Sequence, residues 1–190
     1  MARALSSQTL SESDRRLVAT WAADCADRVL PLFDVDAPED GAPRDAIARA
    51  RAFGRGELNA AEEIRRRFVA GRAAHSVIAP PAIAAARSAA QAAGVAHMGA
   101  HALGAAAYAV KAVALANLDD AGAPRKELEW QLGHLTPETA AALRRLPLLG
   151  EDSSGPLGRG LLASGLLGDT IRNIQASLMP SSTGTTRPRA

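Results

Sequence analysis

The chain has 190 residues, enough for one domain of ordinary size with room for a tail. Its hydrophobic content is 47%, mostly alanine and leucine, while aromatics make only 3%, a composition that favours helices packed closely through small residues. The 22 basic and 20 acidic residues leave a net charge of +2, too small to define a nucleic-acid surface, and the single cysteine, Cys25, excludes an internal disulfide.

The N-terminus, Met1 to Ser7, lacks the apolar segment of a secretory signal, so the expected location is the cytoplasm. The first helix is signalled by Ser11 as a cap, with Asp14 three residues on. Leu17, Trp21, Cys25, Val29 and Leu32 follow at helical spacing, and Asp24 with Arg28 is an i,i+4 pair. Pro31 is expected to weaken this helix, and Pro38 to Pro43 to form a loop. A second helix is predicted from Pro43 to Phe53, with Ile47, Ala50 and Arg51 giving it a modest apolar face, ending at Gly54 and Gly56. A third is predicted over Asn59 to Ile78, with Ile64, Phe68 and Ala74 inward and the triplet Arg65, Arg66 and Arg67 partly outward. Pro80 and Pro81 stop it and start the next.

From Pro81 to Asn117 the pattern is helical throughout. A single helix of that length would run about 55 Å, too long for a domain of this size. A break at Gly94 or Gly99 is therefore expected, giving helices over 82–95 and 100–117. The stretch from Ser88 to Val110 carries no formal charge, yet it is too rich in alanine, and too polar at Gln91, His97 and His101, to span a membrane. A short helix is predicted over 124–134. Thr136 followed by Pro137 caps another over 137–145. Residues 150–160 read as a Gly/Ser/Pro-rich linker, Leu161 to Leu178 as an amphipathic helix, and Ser181 to Ala190 as a disordered tail. The predicted organisation is all-α. An alanine-rich bundle of about six or seven helices covers residues 1–149, and a linker, C-terminal amphipathic helix and tail cover 150–190.

The stretch from Gly94 to Lys111 concentrates the candidate chemistry. On a continuous helix His97 and His101 would lie about 40° apart, with Tyr108 and Lys111 on the same stripe. Histidines at i and i+4 can chelate one metal, but zinc metalloproteases place glutamate directly after the first histidine, and here Met98 stands there. A divalent-metal site would need a third ligand, with His75 the leading candidate and Asp24, Asp27 or His134 behind it. The bland reading is a pair of hydrogen-bonded histidines at a helix corner. Tyr108 and Lys111 are spaced as in some reductases, but no dinucleotide-binding fingerprint accompanies them, so a buried ring beside a snorkelling lysine is expected. Asp24 and Asp27 could serve as a carboxylate pair or as surface ion-pair partners, and Cys25 is expected as a small buried hydrophobe. Trp130 and His134, at i and i+4, can touch; the tryptophan marks a core anchor or an interface.

Two groups of segments carry a resemblance. One is Trp21-Ala-Ala-Asp24-Cys-Ala-Asp-Arg28-Val-Leu-Pro-Leu-Phe33, with Pro43 to Glu57 after it. The other is Ala96-His-Met-Gly-Ala-His-Ala-Leu-Gly104 running on to Ala112, followed by Glu129-Trp-Gln-Leu-Gly-His-Leu135. Over roughly residues 10–136 the chain resembles a family of small bacterial proteins labelled "putative immunity protein", all-helical and associated with polymorphic toxin systems. The resemblance implies a cytoplasmic protein that binds and neutralises a cognate protein toxin. It implies no catalytic residue and assigns no partner-binding residue.

The leading expectation is thus an immunity-type binding protein, with no cofactor required, and with the arginine triplet, Glu39 and Asp40, and Trp130 as contact material. The slightly basic charge argues against mimicry of nucleic acid, and an excess of only two charges argues against nucleic acid as a partner. The alternative is a metal- or small-ligand-binding helical-bundle enzyme centred on His97, His101 and His75. A homo-oligomer assembled through the C-terminal helix is a third reading.

Overall fold

The computed structural model describes residues 6–66 and 69–179. Arg67 of the arginine triplet, the expected inward Phe68 and the expected disordered tail at 181–190 lie outside the described residues. Among the described residues the chain is all-α, without strands, and no helix is long and apolar enough to cross a membrane.

Helix α1 (Glu12–Asp34) is the central element and packs against α2 (Ala42–Gly54), α5 (Pro80–Gly94), α6 (His101–Ala116) and α8 (Pro137–Leu143). The Ser11 side chain accepts the Asp14 N–H at 3.1 Å, as the cap signal predicts. Its buried stripe runs through Val18, Trp21, Ala22, Cys25, Val29 and Phe33. Leu17, expected inward, is 38% exposed, because the stripe is centred one residue further round the helix. Pro31 does not end the helix, which continues to Asp34. The proline removes one hydrogen bond in a final turn that buried Leu30 and Phe33 hold to the core.

The expected pair of Asp24 with Arg28 does not form. Arg51 of α2 reaches across to Asp24 at 2.8 Å and Asp27 at 3.0 Å, and Arg28 turns to Glu127 on α7 (Ala123–Gly133). Contacts between helices thus displace an i,i+4 pair worth only a few tenths of a kcal/mol. The helix predicted over Asn59 to Ile78 appears as α3 (Ala60–Arg66) and α4 (Val69–Ala73). Beyond Ala73 the chain turns, and Ile78 is 91% exposed. Ser76 Oγ donates to Asp40 at 3.1 Å, and the Ala79 N–H to Asp36 at 3.1 Å. These bonds tie the segment to the loop after α1.

Helices α5 and α6 form the predicted hairpin, parted at residues 95–100. Their contact is almost all alanine, with Ser88 Oγ donating to the Ala105 carbonyl at 2.7 Å inside it. The break also divides the uncharged run between two helices. Thr136 caps α8 through the Thr139 N–H at 3.1 Å. The C-terminal helix α9 (Gly165–Leu178) packs chiefly on α6, burying Leu167, Ile171, Ile174 and Leu178.

The stretch 150–160, linker-like in composition, is held against the bundle by one buried side chain. Gln8 Nε2 donates to Asp152 at 2.7 Å and to the Ser154 carbonyl at 2.8 Å, and its Oε1 accepts the Leu157 N–H at 2.9 Å. Gly155 has φ +78°, and a Cβ there would lie 2.7 Å from Gln8 Oε1. Leu157 is fully buried in the same core that α9 joins.

Candidate functional site

The corner between α5 and α6 is built from the N-terminus inward. Residues 7–9 form a single 3-10 turn capped by Ser6. The Thr9 carbonyl accepts the Gly99 N–H, and the Gln8 carbonyl the Ala100 N–H, each at 3.0 Å. The donors just ahead of α6, which has no side-chain cap, are satisfied this way. Glycine at 99 makes room for the Leu10 side chain, since a Cβ there would sit 2.5 Å from Leu10 Cδ1.

His101 opens α6. Its ring lies over Gly94, where a Cβ would come within 2.9 Å of His101 Cγ. Nδ1 meets Gln91 Oε1 at 2.8 Å, and because an amide oxygen only accepts, Nδ1 carries the hydrogen and Nε2 the lone pair. Gln91 in turn fills the space a side chain at Gly104 would take. Two glycines thus make room for one half-buried polar pair bridging the hairpin. Burial, then the neighbouring His97, pushes the His101 pKa from its ordinary 6.5 down to about 4. The ring is neutral at physiological pH.

All three histidines of the metal reading border one cleft of about 640 Å³, where His75, His97 and His101 are joined by Arg72 and Gln91. His75 is exposed and follows α4, His97 is half-buried in the corner, and His101 is engaged with Gln91. Among the described residues no group of three His, Cys, Asp or Glu side chains is arranged to hold a metal ion. Tyr108 is buried with the Arg87 guanidinium 5.9 Å from its ring centre.

A second site lies on the opposite motif. Trp130 is half-buried on α7. The exposed imidazole of His134 stacks on it at 3.9 Å, and the Arg28 guanidinium lies 3.9 Å from its ring centre. Arg28 Nε donates to both oxygens of Glu127, at 3.2 and 2.9 Å. Glu127 is buried and also accepts from Gln131 Nε2 at 3.1 Å. The Gln131 carbonyl takes the Trp21 indole N–H at 2.9 Å, while its side-chain oxygen is buried without a partner. Sequence reasoning missed this seam. Its signal was present as Trp21 and Arg28 seven residues apart on one helix, and Glu127 and Gln131 four apart on another.

The other candidates have structural roles. Asp24 and Asp27 hold Arg51. Asp40 accepts from Ala42 N and Ser76, leaving Glu39 as the exposed acid of that loop. Cys25 is fully buried, and burial first, then Glu127 and Asp24, raise its pKa well above the usual thiol range. It is therefore a protonated core residue and no nucleophile.

Among comparisons with known proteins, the family described as "Imm-5 like putative immunity protein" matches residues 8–138. No curated protein and no solved structure matches the chain. The matched span takes in both motif groups, the hairpin corner and the seam between α1 and α7, and it covers more than half of the chain. On that match the chain belongs to the Imm-5 like immunity protein family.

Proposed function

We propose that this protein acts in the bacterial cytoplasm, where it neutralises a cognate protein toxin by direct contact. The family match over residues 8–138 carries the reading. The stack of Arg28, Trp130 and His134 supports it, since protein interfaces draw most of their affinity from a few well-held anchors, tryptophan and arginine foremost. Arg28 is fixed from behind by Glu127, and Trp130 is held by Arg28 and His134, so little freedom is lost when a partner presses on them. Such a role needs no reactive group.

The test is co-expression with the toxin domain encoded beside this gene. Host cells should survive toxin induction only when this chain is present, and the two proteins should co-purify. Trp130→Ala should weaken the complex by at least about 2 kcal/mol. Host death despite full expression of this chain, with no complex recovered, would refute the reading.

A further inference from the structure

Tyr108 poses a question that toxin binding does not answer. The residue is only 4% exposed, and its hydroxyl, which makes no hydrogen bond within the described residues, is the part of the side chain that meets solvent. The ring borders a second cleft of about 430 Å³ that shares Gln91, His97 and His101 with the first. One wall is the corner, with Gln91, His97, Met98 and His101. The other is the strap of residues 155–162, which contributes Pro156, Leu161 and Leu162.

We propose that this cleft is a binding site for an uncharged small molecule with an amide or hydroxyl head on an apolar body. The polar groups are complementary to such a head. His101 Nε2 is a lone-pair acceptor, because Nδ1 spends its hydrogen on Gln91. The Tyr108 hydroxyl can donate or accept. Tyr108 stands two turns beyond His101 on one stripe of α6, and helical side chains lean toward the N-terminus, which carries the hydroxyl back toward the histidine. Between them Gly104 admits the Gln91 amide, so the floor is polar, and a Cβ there would also lie 3.2 Å from Leu162 Cδ1.

The apolar part of the ligand has Met98, Pro156, Leu161 and Leu162 to rest on. Leu161 is 64% exposed at the rim, surface that an occupant would cover. Among the described residues no Asp, Glu, Lys or Arg lines this cleft, so a charged ligand would lose its hydration without gaining a counter-charge there. The walls are already fixed. Gln8 grips the strap at Ser154 and Leu157, and Arg172 Nη2 donates to the Ala163 carbonyl at 3.0 Å. The site is thus preorganised, as small-molecule sites usually are.

The test uses the full chain and benzamide as probe, with benzoate and benzylamine as its charged counterparts, read by NMR of the Tyr108 and His101 ring resonances. Benzamide should shift both rings with millimolar affinity, and the two ions should bind at least about tenfold more weakly. Tyr108→Phe keeps the ring and removes the hydroxyl; its affinity for benzamide should fall about tenfold while its melting temperature shows the fold intact. Absence of any shift up to about 10 mM benzamide would overturn the proposal. So would equal binding of benzoate, an unchanged affinity in Tyr108→Phe, or nuclear Overhauser contacts placing one of the chain's own termini against Tyr108. Toxin protection is read separately and does not depend on any of these outcomes.

Discussion

Replacing Arg28 by methionine tests the seam between α1 and α7 most directly. The substitution keeps an apolar stem but strands the Glu127 carboxylate, which is 4% exposed and would retain only the Gln131 amide as donor. Breaking a buried ion pair from one side costs about 3–5 kcal/mol. Arg28 itself is 38% exposed, so water can reach the vacated position and the loss should sit at the low end, about 3 kcal/mol. Loss of the cation over Trp130 adds roughly 0.5–1 kcal/mol. With a urea m-value of about 2 kcal/mol/M, the midpoint should fall by about 1.5–2 M. The double variant Arg28→Met, Glu127→Leu removes both charges and should recover most of that loss, ending within about 1.5 kcal/mol of the parent apart from the Trp130 term. An Arg28→Met midpoint within about 0.3 M of the parent would refute the reasoning, as would a double variant no more stable than the single one.

Three further outcomes follow from the same contacts. His101 is held neutral, with a pKa of about 4 against 6.5 ordinarily, so on acidification the unfolded chain takes up this proton first. Its contribution is complete above pH 6.5 and is lost by about pH 4, amounting to about 3 kcal/mol. His101→Gln should flatten that part of the stability–pH curve, and parallel curves for the two proteins would show that His101 is not its source. Cys25 should resist a thiol reagent in the native protein and react only at the rate of unfolding; modification as fast as that of a free thiol would contradict its burial. Gln8→Ala removes the three bonds that hold the strap. It should speed tryptic cleavage at the exposed Arg159 by tenfold or more, and unchanged cleavage would mean that the strap is held by other contacts.

Helix placement was legible because its signals are local. Ser11, Thr136 and the prolines at 43, 80, 124 and 137 mark helix starts through one or two neighbouring residues. The break before His101 follows from a length no compact domain could hold. What the sequence hid was long-range. Arg28 has an acid four residues before it, and nothing local says that it will prefer an acid ninety-nine positions away. Composition made 150–160 look unheld, since the side chain that grips it belongs to the first turn of the chain. The three histidines border one cleft, but the role of His101 is decided by Gln91 and by glycines at 94 and 104. A string of residues shows that those glycines exist and not what occupies the space they leave.

The seam also explains why Trp130 can serve as an anchor although it lies on a short helix. The buried residues of α7 are Ala123, Glu127 and Gln131. The helix is therefore docked mainly through polar groups, with Leu128 and Leu132 only partly covered. An apolar stripe tolerates small rotations, because one methyl contact replaces another at little cost. A carboxylate gripped by Arg28 and Gln131, and a backbone carbonyl gripped by the Trp21 indole, tolerate none, because each displaced donor or acceptor would be left buried and unpaired. The net stabilisation is modest, but the register of α7 is fixed and the outward face of Trp130 with it. That is the property a toxin-binding surface requires, since orientation settled before contact is entropy the complex does not have to remove. It also separates two kinds of lesion. Trp130→Ala should weaken binding by about 2 kcal/mol or more at a small cost in stability, whereas Arg28→Met should weaken fold and binding together.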